Sequence, residues 1–142
     1  VGELLPVANK DENGLMSKNN SVIILSGNNK CSKLSYKHKG SLRSTLIGMY
    51  EMNGKAYFCC IQFSFSLYGK NISIISSNSL NNTIVKYIHT DSTLDIYIEN
   101  GNLSFIQIGT NSTTDIGFIG SSIVEKTDVP AEALEIEKIL IQ

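Results

Sequence analysis

At 142 residues the chain has the length of one domain and can bury a core without the help of disulfides or metal. A formal net charge of −1 at pH 7, with no basic stripe, excludes the electrostatic footprint of a nucleic-acid binder. No apolar run approaches the roughly 18–20 residues that a membrane-spanning helix needs.

Ile occurs 19 times, Ser 18 times and Asn 14 times, against two Pro and no Trp. Ile, with Val, Tyr, Phe and Thr, favours the pleated sheet, while Asn, Gly and Ser supply turns. The composition predicts an all-β fold.

In chain order, Val1 to Pro6 is a short extended apolar segment and Val7 to Asn13 is polar without period. We expect residues 1–20 to form a connector and residues 21–142 a β-sandwich head. Val22-Ile23-Ile24-Leu25 predicts a short strand ended by Ser26-Gly27-Asn28-Asn29, and Lys33 to Lys37 a second one. The basic residues Lys33, Lys37, Lys39 and Arg43 around His38 read as a solvated face.

The strongest local signal is Asn53-Gly54, between Leu46–Met52 and Lys55–Ile61. Asn-Gly is the preferred two-residue hairpin loop because both positions need positive φ. It pairs Tyr50 with Tyr57, Met49 with Phe58 and Leu46 with Ile61. Both faces of this hairpin are apolar, so each needs a cover. We expect Ile47, Met49, Phe58 and Cys60 to lie under a second sheet or a neighbouring chain.

Ile61 to Leu67 alternates strictly, Tyr68-Gly69-Lys70 turns the chain, and Ile72–Ser76 and Thr83–His89 follow as strands. A second Asn-Gly, Asn100-Gly101, predicts a hairpin that pairs Ile98 with Leu103 and Ile96 with Phe105. The apolar phase slips at Phe105-Ile106, which suggests a bulge or a strand covered on both sides. Ile116–Ile119 and Ile123-Val124 complete a series spaced as in a sandwich or barrel. In the tail, Ala131 to Leu134 could start a helix at Pro130, but Glu135 to Ile141 reads better as a final strand. The fold expected is an antiparallel, jelly-roll-like β-sandwich.

The cysteines Cys31, Cys59 and Cys60 form no disulfide framework, since adjacent strand residues leave on opposite faces. We read them as small buried apolar residues. No Cys/His cluster has metal-ligand spacing, so neither a metal nor a cofactor is expected. His89-Thr90-Asp91, with Asp95 nearby, would suit a base and its orienting carboxylate, but a strand end with an Asp at the turn explains it as well. The carboxylates Glu51, Asp91, Asp95, Glu99 and Asp115 are too few and too scattered to suggest a glycosidase pair. The expectation is a non-enzymatic domain.

Asn13-Gly14-Leu15-Met16-Ser17-Lys18 follows the polar stretch Asn9-Lys10-Asp11-Glu12 and precedes this Ser-, Thr- and Asn-rich β body. That order resembles the end of a bacteriophage tail fibre, where such a segment joins the shaft to the receptor-binding head. The resemblance implies a homotrimer on a virion tail, assembled in the bacterial host cytoplasm. It also implies attachment to a bacterial surface glycan or protein, with no nucleic-acid partner and no membrane insertion. The alternative of another class is a carbohydrate-binding or adhesin-like sandwich module of a larger cell-surface protein or enzyme.

With antiparallel strands, the turns far from the connector carry Asn28, Asn29, Asn53, Asn78, Asn81, Asn82 and Asn100. Asn both donates and accepts hydrogen bonds, which suits sugar hydroxyls. These residues are the receptor-binding set expected from sequence.

Overall fold

In the computed structural model, residues 22–26, 30–52, 54–78, 83–99, 102–112 and 117–141 are described. They form β1 (Val22–Ser26), β2 (Cys31–Lys37), β3 (Leu42–Met52), β4 (Lys55–Ser66), β5 (Gly69–Ser76), β6 (Val85–His89), β7 (Thr93–Glu99), β8 (Asn102–Ser112), β9 (Phe118–Val124), β10 (Leu134–Glu135) and β11 (Glu137–Leu140). A six-stranded sheet in the order β1-β8-β3-β4-β5-β11 packs on a five-stranded sheet in the order β10-β6-β7-β2-β9. Among the described residues the only helical piece is one 3-10 turn, Lys126–Asp128.

Period-2 alternation builds the core between these sheets. Leu42, Leu46, Tyr50, Cys59, Ile61, Phe63, Phe65, Ile72, Ile74 and Phe105 come from the larger sheet, and Leu34, Tyr36, Val85, Leu94, Ile96, Ile98 and Phe118 from the smaller. Two side-chain hydrogen bonds are made in this interior by the hydroxyls of Tyr36, Thr83 and Tyr50. Tyr36 Oη donates to Gln107 Oε1 at 2.7 Å, tying one sheet to the other. Thr83 Oγ1 donates to Tyr50 Oη, also at 2.7 Å.

The β3–β4 hairpin has the register its Asn-Gly turn predicts: Tyr50 opposes Tyr57, Met49 opposes Phe58 and Leu46 opposes Ile61. Gly54 takes the positive φ, 76°. Cys59 and Cys60 do leave on opposite faces, Cys59 into the core and Cys60 outward, and the three thiols are free and buried.

Asn100-Gly101 does not close a hairpin. Strand β7 pairs with β2 and β6, whereas β8 pairs with β1 and β3 in the other sheet. Ile98 therefore opposes Ser32 and Val85, and Ile96 opposes Leu34 and Tyr87. The physical reason is that β7 and β8 each bring inward residues (Ile96, Ile98 and Phe105) to the same core. Two strands can do so from opposite sides as well as side by side. Crossings between sheets at β1–β2–β3 and at β7–β8–β9 give the jelly-roll-like wrap, while β3, β4 and β5 stay in one sheet as successive hairpins.

The apolar slip at Phe105-Ile106 is not a bulge. Phe105 is buried and Ile106 lies on the outer face. The bulge comes four residues later, where β8 fits Gly109 and Thr110 opposite Ser44, with Gly109 at φ 69°.

The tail is a strand in two pieces. Leu134 and Glu135 pair antiparallel with β6, and Glu137 to Leu140 pair with β5, the one parallel pairing among the described residues. Ile136, 3% exposed, sits between them in the core, with its N–H bonded to the Val85 carbonyl at 2.9 Å. The tail thus clasps the open side between the two sheets. To reach that edge from β9, residues 125–133 cross the smaller sheet from one edge to the other. Tyr97 marks the crossing. It lies on the outer face of β7 yet is only 5% exposed. Its pKa is raised by burial first, and by several acidic groups that include Asp128 and Glu132.

Gly48 is the tightest point in the larger sheet, because a Cβ there would collide with the Ser104 carbonyl of β8. We expect Gly48→Ala to cost about 1–3 kcal/mol or more, the usual penalty of overpacking an interior. Thermal unfolding of the variant checks this, and an unchanged melting temperature would show that β8 yields without cost.

Candidate functional site

The two ends of the sandwich differ in chemistry. The strand ends around Gly54, Ser77 and Glu99 share one end, and the turns His38–Ser41, Leu67-Tyr68 and Thr90–Ser92 share the other, as strand alternation predicts. Of the sequence-derived receptor residues, Asn78 lies at the Gly54 end, half-buried, its carbonyl accepting from Ser76 Oγ at 2.6 Å. Asn28, Asn29, Asn53, Asn81, Asn82 and Asn100 lie outside the described residues. Residues 1–20, the expected connector, lie outside them too.

At the Leu67 end, two depressions of about 400 and 420 Å3 meet. They share Phe65, Lys70 and His89 and so form one cleft across the end of the sandwich. One half is lined by Tyr87, Thr90, Glu132 and Leu134, the other by His38, Ser66, Leu67 and Asp91. Each element places its residue simply. His38 opens the β2–β3 crossing, Phe65 and Ser66 end β4, Lys70 lies at the start of β5, His89 ends β6, and Glu132 arrives with the tail.

The floor of this cleft is an aromatic stack that sequence spacing could not reveal. The His89 ring lies on Phe65, with centroids 4.2 Å apart and planes at 15°. His89 Nε2 faces His38 Nε2 at 2.9 Å. The two imidazoles are nearly coplanar, at 10°, with centroids 5.0 Å apart. A short N–N contact with that separation means the rings meet edge to edge, sharing a hydrogen bond rather than stacking.

The tautomers follow from the partners. His38 Nδ1 contacts the Gly40 carbonyl at 3.2 Å, and a carbonyl only accepts, so Nδ1 carries the proton. His38 Nε2 is then the acceptor and His89 Nε2–H the donor. His89 Nδ1 is left as a buried acceptor with no partner.

Neither histidine is oriented by Asp91 or Asp95. His89 takes His38 as its partner, while Asp95 sits on β7 opposite Ser35 and Ile88. Thr90 Oγ1 is occupied in the turn with Thr93. Asp91 is exposed at the β6–β7 turn, at the opposite end of the strands from Glu51 and Glu99, so these carboxylates do not converge. Asp115 lies outside the described residues. No cluster of three His, Cys, Asp or Glu residues suited to a metal occurs among the described residues. Burial holds the thiols in their protonated form: Cys31 is pushed up to about 11 and Cys59 to about 12.

Compared with protein-family models, with curated proteins and with solved structures, the chain matches none. The cleft residues Phe65, Lys70, Tyr87, Glu132 and Leu134 went unnoticed in the sequence because they are far apart along it. The one available signal was Leu67-Tyr68, two large side chains at hairpin positions that usually take Asn or Gly.

Burial, then the neighbouring His38 and Lys70, push the His89 imidazole down from 6.5 to about 4, against the pull of Asp91. A histidine whose folded pKa is depressed binds its proton more readily when unfolded. Its contribution to stability is whole above pH 6.5 and is lost as pH falls toward 4. Between pH 7 and 4.5 we expect the wild type to lose more melting temperature than His89→Gln. Equal losses would remove His89 as the source of acid sensitivity.

Proposed function

We propose that this chain is the non-enzymatic receptor-binding head of a phage or prophage tail fibre, attached as a homotrimer to a bacterial surface glycan or protein. The observation that carries the reading is the outer face of the larger sheet. Ile47, Met49, Phe58, Ile106 and Ile108 are exposed there, between 39% and 50% each. In register, Ile106, Ile47, Cys60, Ile75 and Ile139 follow one another across five strands. The sandwich core is complete on the other face of the same strands. The second sheet therefore does not cover Ile47, Met49 and Phe58, and their exposure supports a neighbouring chain as the cover.

An exposed apolar sheet face of this kind marks an interaction surface or an aggregation liability. A fibre head meets that need by packing copies around its axis, and the threefold closure is taken from the resemblance of Asn13 to Lys18. The histidine pair supports a role without catalysis, since each ring is aimed at the other and not at a nucleophile. The adhesin-like module remains a second reading, favoured by the cleft of mixed polar and aromatic lining at the Leu67 end.

Solution mass by light scattering separates the two. The fibre head gives three times the 15.6 kDa protomer mass, and Ile47→Lys with Phe58→Lys lowers it to one protomer with an unchanged circular dichroism spectrum. A monomeric wild type would overturn the trimer and leave the single module.

A further inference from the structure

We propose that the cleft at the Leu67 end, and not the Asn-bearing end, is a saccharide site, with Tyr68 as its stacking platform. The inference rests on the attachment reading and names the ligand class and place of that function. Leu67 and Tyr68 are 97% and 99% exposed, the most exposed large apolar residues described. They occupy a two-residue hairpin loop in which Ser66 pairs with Gly69, where turn chemistry alone favours Asn, Asp or Gly. The fold gains no burial from either side chain. Leu67 lines the cleft, and Tyr68, next to it in the loop, holds an aromatic ring out in solvent, where it offers an apolar face to the C–H face of a sugar ring.

The polar lining selects the rest of the ligand. Lys70 stands where the two halves join, with Asp91 in one half and Glu132 in the other. One cation between two carboxylates disfavours a polyanion. The two carboxylates accept hydrogen bonds, which favours a ligand rich in donors. Hydroxyls supply those donors and also accept from Lys70. Each half has a volume of about 400 Å3, within the range of roughly 300–1,000 Å3 usual for small-ligand sites. The halves are continuous through Lys70 and His89, which suits an oligosaccharide laid across the end of the sandwich rather than one buried sugar. A ligand with an apolar face and a rim of hydroxyls is a saccharide.

The test uses the full chain on an array of bacterial capsular and lipopolysaccharide-core oligosaccharides, followed by amide NMR with the best-bound sugar. The expected result is binding to at least one oligosaccharide. Its shifts should centre on Phe65 to Lys70 and Thr90 to Ser92. Affinity should fall tenfold or more in Tyr68→Ala and in Asp91→Asn, with unchanged melting temperatures. Failure to bind any array sugar overturns the saccharide assignment. Shifts confined to Gly54, Ser77 and Asn78, or full affinity in folded Tyr68→Ala, overturn the place. Adsorption to bacterial cells keeps the two readings apart. If wild type and both variants adsorb equally, attachment stands and the cleft falls; if the wild type adsorbs to no host, the attachment reading falls and the array alone decides the cleft.

Discussion

Two sheets of opposed alternation share one apolar layer, and that constraint decides almost everything else. Each strand can give only every second residue to the core. Leu46, Ile61 and Ile74 meet Leu34, Leu94 and Ile96 because the register holds across both sheets at once. A slip of one residue in β3 would exchange Leu46 and Tyr50 for Ile47 and Met49, which are nearly as apolar. Composition does not forbid that slip. The buried pairs Tyr36–Gln107 and Thr83–Tyr50 do, because a hydroxyl turned out of register would leave a polar group unpaired in the interior.

The tail extends the same constraint to the open edge. Ile136 fills the seam between sheets, and the strands on either side of it pair with different sheets. Lys138 Nζ then donates to the Thr83 carbonyl at 2.9 Å, fastening the loop that precedes β6. One short segment thereby covers edge groups on both sheets, and the same passage brings Glu132 to the cleft. Closing the edge and furnishing the proposed site are consequences of one path over the surface.

The proposed functional surfaces are the places where this economy is broken. The larger sheet keeps a second apolar face after its core face is satisfied, and the Leu67 end exposes a Leu-Tyr pair that folding does not use. In the cleft that Leu67 helps to line, two histidines are held almost in one plane, and one of them, His89, lies on the Phe65 ring. Their shared hydrogen bond needs at least one neutral ring, since two protonated rings would set N–H against N–H.

The sequence by itself determined the fold class, the approximate place of most strands, the Asn53-Gly54 register, the opposite faces of Cys59 and Cys60, and which turns share an end, although the turn expected at Tyr68-Gly69-Lys70 is at Leu67-Tyr68. All of these follow from local turn chemistry and period-2 alternation, which act over a few residues. Tertiary structure alone decided that Asn100-Gly101 joins two sheets instead of two neighbours. An Asn-Gly signal reports a reversal of direction, not the partner of the returning strand. The cleft was equally invisible, because His38, Phe65, Lys70, His89 and Glu132 come from five separate elements. The apolar hairpin faces were legible, but which one met the second sheet was not: two apolar faces have nearly the same transfer free energy, and only the packing of the whole chain chooses between them.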